Sequence, residues 1–459
     1  MNEKNVLTIL DKISELVWGL PLIILLVGTG IYLTFRLGFL QLRLLPYSLK
    51  LSFQFKQDKK SEGDISHFQA LMTALAATVG TGNIVGVATA VMAGGPGAIF
   101  WMWISAFFGM ATKYAEAILA VKYRVKDKNG EMSGGPMYYL EHGLKQKWLG
   151  VLFALFGSFA AFGIGNLVQS NAVSSAAKET FNIDPKVTGI ALTIFAGLAI
   201  IGGIKSIAKV TSFFVPIMAS FYLFFGLIII FMNIELLPTA VSLIFTDAFT
   251  GHAVAGGALG IVIRYGVARG MFSNEAGLGS APIAAAAAKT DLPGRQALVS
   301  MTQVFIDTIV ICSITGITIV MAGLYNKSGI QSDYLTSASF EHFLGPAGSV
   351  IVSLGILFFA SSTLIGWSYY GEKCFSYLFS QKYIIVYRIL FVSAIYIGAV
   401  TSLKVVWALS DILNGLMAFP NLVGLLGLSG VIIYETKRIT KTIQDEKKEA
   451  ISSKLNLPS

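Results

Sequence analysis

Charge is scarce in this 459-residue chain: Asp, Glu, Lys and Arg make up 13% of it, against about 25% in a soluble globular protein. Cysteine is scarcer still, with only Cys312 and Cys374, and the four histidines are scattered. Two cysteines in or beside apolar stretches imply no disulfide framework, and no Cys/His spacing matches a metal site. Strand-type alternation with a turn every ten residues or so is missing, which argues against an outer-membrane barrel. There is no phosphate-binding loop. Gly80-Thr-Gly-Asn-Ile-Val-Gly86 is neither spaced nor placed like a dinucleotide fingerprint. No serine has an evident His/Asp partner. The chain therefore lacks the equipment of an enzyme, and no cofactor is expected. A cleavable signal peptide is not expected either, because the first apolar stretch is too long and has no small-residue cleavage site.

What the chain has in plenty is apolar sequence, 54% of it, with a mean hydropathy of +0.70. Apolar runs of about twenty residues recur along its length, the pattern of an all-α polytopic membrane protein. Eleven spans are expected, at 16–36, 68–92, 97–121, 149–176, 187–205, 212–233, 255–287, 297–324, 348–371, 383–402 and 408–434. Lysine and arginine alternate in the connections. They are dense in the loop with Arg43, Lys50, Lys56, Lys59 and Lys60, and in the loop from Lys122 to Lys147. They recur after the fifth, seventh and ninth spans and in the tail, whereas Gly94-Gly95-Pro96 and 234–254 have none. By the positive-inside rule the amino terminus lies outside the cytoplasmic membrane and the carboxyl terminus in the cytoplasm. The net charge of +9 then comes from cytoplasmic loops and points to no nucleic acid.

The stretch 67–93 is long enough to span, yet its middle reads Thr78-Val-Gly-Thr-Gly-Asn83. Glycine at a helix centre costs backbone entropy and buries no side chain. Inside a bilayer an unwound centre survives only where it lines a cavity or holds a ligand. Gly82-xxx-Gly86 can equally serve helix packing. A second interrupted segment, 255–287, carries Val267-Ala-Arg-Gly-Met-Phe-Ser-Asn-Glu-Ala-Gly-Leu-Gly279. With the first span set aside, ten spans divide five and five, each half opening on an interrupted helix and later carrying a Glu-His pair (141–142 and 341–342). Because five is odd, the halves run in opposite directions through the membrane. Paired interruptions of this kind point to the binding site of a transporter. The expected division is 1–66 for the extra helix and its loop, 67–233 and 234–436 for the repeats, and 437–459 for a tail.

Polar residues inside spans are costly and invite a functional reading. Gln169, with Asn166 and Asn171 nearby, can contact both ends of a zwitterion or bond between helices. Arg269 and Glu275 are expected to pair with each other, and Lys113 and Glu116 to form a snorkelling pair. Asp307 reads either as a proton or cation site or as an acceptor for neighbouring hydroxyls. Ser361-Ser-Thr363 can cap their own helix or offer oxygens to a small cation. Trp367, one turn on, walls a pocket or packs the bundle.

Gly94-Gly-Pro-Gly-Ala-Ile-Phe-Trp-Met-Trp-Ile-Ser-Ala-Phe-Phe-Gly109, Gly80–Gly86 and Gly270-Met-Phe-Ser-Asn-Glu-Ala-Gly-Leu-Gly-Ser-Ala-Pro282 together resemble the sodium:alanine symporter family. The likeness runs over essentially the whole chain. It implies a LeuT-type five-plus-five inverted repeat preceded by one extra helix. It further implies alternating-access import of alanine or glycine with sodium as the coupling ion, and no required protein partner. Carried over, amides near Gly80, Thr81 and Gly82 hold the substrate carboxylate. Gln169, Phe272, Ser273, Thr363 and Trp367 contact, gate or limit the substrate. The carbonyls of Ala76, Val79 and Ala360 and the Thr363 hydroxyl face a sodium, although Leu364 stands where the pattern has a second hydroxyl. A second sodium would use the Thr78 carbonyl and Asn83. The rivals are a proton-coupled or exchanging carrier on the same fold, and an ion channel.

Overall fold

A computed structural model describes residues 3–54, 61–249, 258–401 and 404–455. Lys56, Lys59 and Lys60, the end of the 234–254 loop, the first residues of the 255–287 segment and the last four of the tail lie outside the described residues. Among the described residues the molecule is helical apart from one small hairpin, Val125–Lys126 with Met132–Ser133. Eight helices are long and apolar enough to cross a bilayer, and a ninth results if the bent pair His67–Thr78 and Thr81–Gly94 counts as one span. The two other expected spans appear as 17-residue helices, Pro185–Ile201 and Ala258–Asn274.

Two boundaries differ from the sequence expectation. The first span, Leu20–Arg36, is preceded across Gly19 by a separate helix, Glu3–Val17. That helix lies on Lys404–Gly427: the Ser14 hydroxyl donates to Asp411 Oδ2 at 2.8 Å, and Trp18 Nε1 donates to the Asp411 carbonyl at 2.9 Å. The last span ends at Gly427 rather than near 434. A new helix starts at Ser429 and runs through the tail, tied back by Lys122–Glu435 at 2.7 Å and by Arg295–Glu446.

Local chemistry sets both ends of the first broken helix. Ser66 and Gln69 form a reciprocal capping box that starts it. It stops at Thr78, and the chain passes through extended Val79 and Gly80, makes one 3₁₀ turn at Thr81–Asn83, and re-enters a helix at Val85–Gly94 bent by 64°. A Cβ at Gly80 would stand 2.6 Å from Thr363 Oγ1. Only glycine allows this approach of the backbone to the helix Pro346–Phe379.

The second interruption comes later in its segment than the sequence suggested. The helix runs unbroken to Asn274 and restarts at Pro282, with the break confined to 275–281. Glu275 (φ 57°), Gly277 (89°) and Gly279 (84°) take left-handed backbone there, which the glycines adopt at no steric cost. Glu116 holds the loop. Its Oε1 accepts from the Gly277 and Gly279 amides at 3.0 and 3.1 Å and from Asn421 Nδ2 at 2.7 Å. Lys113 and Glu116 are 1% and 0% exposed and 3.7 Å apart, so they do not snorkel. Lys113 Nζ instead donates to the Glu275 carbonyl at 2.9 Å. Together they give this break the partners that hydrocarbon cannot.

Replacing Glu116 by leucine strands three buried donors, each worth about 1–3 kcal/mol. The expected result is a melting temperature in detergent lowered by more than any single surface substitution lowers it, read by the fluorescence of the purified protein on heating.

Candidate functional site

The two breaks face each other across a small cavity of about 20 Å³, room for about one water. The walls are built by Ala77, Thr78 and 80–82 of the first broken helix, Phe272 and Glu275 of the second, and Ile164, Gln169, Thr363, Trp367 and Asn414. Beyond Thr81, Gly82 and Phe272 the cavity gives onto a vestibule of about 550 Å³. Ser14, Arg269, Trp407 and Asp411 line that vestibule, so the amino-terminal helix forms part of its rim.

On one side of the cavity the broken helix presents its carboxyl end. Ala76 would ordinarily accept from the amide four residues on, but the Gly80 amide donates to Asn83 Oδ1 at 2.9 Å. The last carbonyls of the helix are therefore left without helical partners. Opposite them, the Ser362 hydroxyl donates to the Phe359 carbonyl of its own helix at 2.8 Å and lies 3.1 Å from the Ala76 carbonyl. Thr363 likewise donates to Phe359 at 3.0 Å and lies 3.4 Å from the Val79 carbonyl. Each hydroxyl has one proton to share between a carbonyl of its own helix and one of the broken helix, and each keeps lone pairs of its own. Four oxygens of partial negative charge meet at the negative end of a helix dipole, an arrangement suited to a small hard cation. Ser362, and not position 364, brings a second hydroxyl of this helix to the broken one. Leu364 itself is fully buried in the apolar core, and Ala360 is buried on the same helix.

Asn83 is spoken for. Its Oδ1 takes the Gly80 amide, and its Nδ2 donates to Asp307 Oδ1 at 2.8 Å. Gly80 therefore does not offer a free amide to a carboxylate in this conformation, and one lone pair of Asn83 Oδ1 is taken. The Thr78 hydroxyl donates to the Ala74 carbonyl, while the Thr78 carbonyl, the group expected at a second sodium, stands at the last residue of the broken helix. Ser273 is not in the cavity wall: its hydroxyl donates to Asp307 Oδ2 at 2.9 Å, beside Thr308 at 2.8 Å. Asp307 thus accepts from neighbouring side chains, and it joins the two broken helices. It sits in a π-helical stretch, Phe305–Cys312, a distortion that frequently marks functional positions.

Gln169 Nε2 donates to the Ile164 carbonyl at 3.0 Å and lies 3.3 Å from Thr81 Oγ1, just beyond a second π turn at Gly163–Leu167. Asn166 and Asn171 serve packing, donating to the carbonyls of Phe391 and of Gly398 and Thr401. The expected pair of Arg269 and Glu275 does not form. The Arg269 guanidinium lies over the Phe272 ring, 5.7 Å from its centroid, while Glu275 turns inward to Trp367 Nε1 at 3.0 Å and to the Ser280 hydroxyl at 2.5 Å. Arginine is better solvated at the vestibule, and the left-handed backbone at Glu275 aims its side chain the other way. Trp367 does wall the cavity, and a Cβ at Gly165 would meet its side chain at 2.4 Å.

Two residues of the last span escaped the sequence reading, Asn414 in the cavity wall and Asn421 on the second break. An asparagine inside an apolar span was the available signal, and these two stand one heptad apart.

A description of the sodium:alanine symporter family matches residues 3–453. The sodium/alanine symporter AgcS of Methanococcus maripaludis is 58% identical over 450 residues, covering 96% of this chain and 99% of that one. A transporter of uncharacterised activity from Haemophilus influenzae is 55% identical, over 94% and 95%. The crystal structure of MhsT in complex with L-phenylalanine superposes with a TM-score of 0.54 at 15% identity, over 82% of this chain and 98% of that one, a likeness of fold. The chain belongs to the sodium:alanine symporter family and is a multi-span membrane transporter, not an enzyme.

Proposed function

We propose that this protein imports small neutral amino acids, alanine or glycine, together with sodium by alternating access. The observation that carries the reading is the oxygen cluster at the first break, where the Ala76 and Val79 carbonyls meet the hydroxyls of Ser362 and Thr363. A sodium there, with the Ala360 carbonyl nearby in sequence, would organise the same unwound backbone that borders the substrate cavity. Amino acid and ion would then bind as one unit. The Trp367 wall favours a short side chain, and the cavity, which has room for about one water, would widen to take the amino acid. Thr81 and Gly82 would receive the carboxylate, and the Gly80 amide would join them once Asn83 lets it go.

In this reading the amino-terminal helix lies outside and the carboxyl-terminal helix inside. Residues 67–233 and 234–436 are the two inverted repeats. The vestibule is the outer entry, and the inner route is shut by Arg124, which donates to the carbonyls of Glu62, Ala286, Ala288 and Thr290. Rocking of the broken helices against the rest would release that clamp. One sodium entering down about 100 mV supplies roughly 2.3 kcal/mol, enough for accumulation on the order of tens-fold before its concentration gradient is added.

Proteoliposomes loaded with purified protein should accumulate labelled alanine under an inward sodium gradient and not under a potassium or proton gradient. Equal uptake in potassium would sink sodium coupling, and uptake that follows protons alone would favour a proton-coupled carrier. Thr363→Val keeps the shape and removes one cation oxygen, so its half-saturating sodium concentration should rise about tenfold or more. An unchanged sodium dependence would remove that site assignment while leaving the transport. Enlarging the cavity with Trp367→Ala should let longer neutral amino acids compete with alanine for uptake, measured as inhibition by unlabelled leucine; the parent should resist it.

A further inference from the structure

We infer that Glu275, Gln169 and Asn414 form an ammonium subsite within the same cavity, so that the last span takes part in substrate recognition. The inference rests on the amino-acid transport reading and names the groups that read the substrate's positive end.

The three residues come from three separate segments, two helices and the second break, and are 4%, 4% and 2% exposed. Gln169 Oε1 and Asn414 Oδ1 are buried oxygens without a hydrogen-bond partner. The Gln169 amide cannot simply be turned over, because its nitrogen serves the Ile164 carbonyl, and a flip would set oxygen against oxygen. Unpartnered acceptors at this depth cost about 1–3 kcal/mol each, and here both border one small space. Glu275 completes the set. Its carboxylate accepts from Trp367 and Ser280, both neutral. Among the described residues no ion pair reaches it, since Lys113 pairs with Glu116 and gives its other contact to the Glu275 carbonyl. A glutamate with left-handed backbone (φ 57°) is itself uncommon, and such strain clusters at functional positions.

The cavity therefore has a pole rich in acceptors, two amide oxygens and the Glu275 carboxyl group. An ammonium group offers three donors and one positive charge, which matches two amide oxygens and a carboxylate. Phe272 and Trp367 border the same space, and aromatic walls suit an alkylammonium better than a bare sodium ion, whose shell is all oxygen. The amides of Thr81 and Gly82 lie on the first-break side of the cavity, so the two poles are set for the two ends of a zwitterion. A hydroxy acid, which lacks the charge, would leave Glu275 uncompensated.

The test uses full-length purified protein and compares alanine with lactate, its hydroxy analogue, by calorimetric binding in sodium. The parent should bind alanine and reject lactate. Glu275→Gln should weaken alanine about tenfold or more and erase the preference over lactate, while the stabilisation of the protein by sodium alone stays as in the parent. Asn414→Ala should weaken alanine without altering the sodium response, and it decides the matter if Glu275→Gln does not fold. Trp367→Phe removes the indole donor but keeps the charge, so it should retain the preference for alanine. Unchanged discrimination in both Glu275→Gln and Asn414→Ala would overturn the subsite. So would loss of the sodium response with discrimination intact, which would make the carboxylate a cation site. If Trp367→Phe loses the preference as Glu275→Gln does, Glu275 only positions the indole, and the inference again falls. A parent protein that binds no alanine in sodium would overturn the transport reading instead.

Discussion

Hydrocarbon offers no hydrogen bonds, so every amide and carbonyl freed by an interrupted helix must find a partner inside the protein or at a ligand. Much of this molecule is arranged around that requirement. The chain interrupts two spans, and the two are satisfied in different ways. At the second break a buried carboxylate, Glu116, takes the Gly277 and Gly279 amides, and Asn421 bonds both the carboxylate and the Gly277 carbonyl. At the first, Asn83 takes one amide while the carbonyls of Ala76 and Val79 are left facing hydroxyl oxygens. The second break is thus tied to its own scaffold, and the first retains the groups with something left to bind.

The buried charges follow the same division. Lys113 and Glu116 neutralise each other and lock the second break to the helix Gly97–Lys122. Among the described residues the side-chain carboxyl groups of Glu275 and Asp307 accept only from neutral donors. Asp307 touches Asn83 of one broken helix and Ser273 of the other, so a change in either helix is felt by the other. That coupling is local and made of ordinary hydrogen bonds. It gives a physical route by which an event at one interruption reaches the second, within a transporter whose family moves amino acids with sodium.

Several site residues were legible because their types are expensive where they stand. Gly80 and Gly82 at a helix centre, Gln169 in a span and three consecutive hydroxyl residues at 361–363 each break a rule of apolar helices, and each except Ser361 borders the cavity or the oxygen cluster beside it. Trp367 was ambiguous because a tryptophan in a bundle needs no function. Ser273 was read as lining the pocket on its place in the motif, but a rotation of one residue along the helix turns its hydroxyl to Asp307. Arg269 and Glu275 are six residues apart and of opposite charge, which made a pair plausible. The left-handed turn at Glu275 separates them, and nothing short of the backbone path reveals that.

Composition and periodicity alone determined that this is a helical membrane protein, because the bilayer punishes charge and unpaired backbone at any position, whatever the neighbours. The motifs determined its family. The tertiary structure decided which side chains meet: that Ser362 rather than position 364 reaches the Ala76 carbonyl, that Glu116 is buried rather than snorkelling, and that Asn414 of the last span closes a cavity that begins at Ala77. These are contacts between segments far apart in sequence. They depend on helix rotation and on the angles at two breaks, which local propensity does not encode.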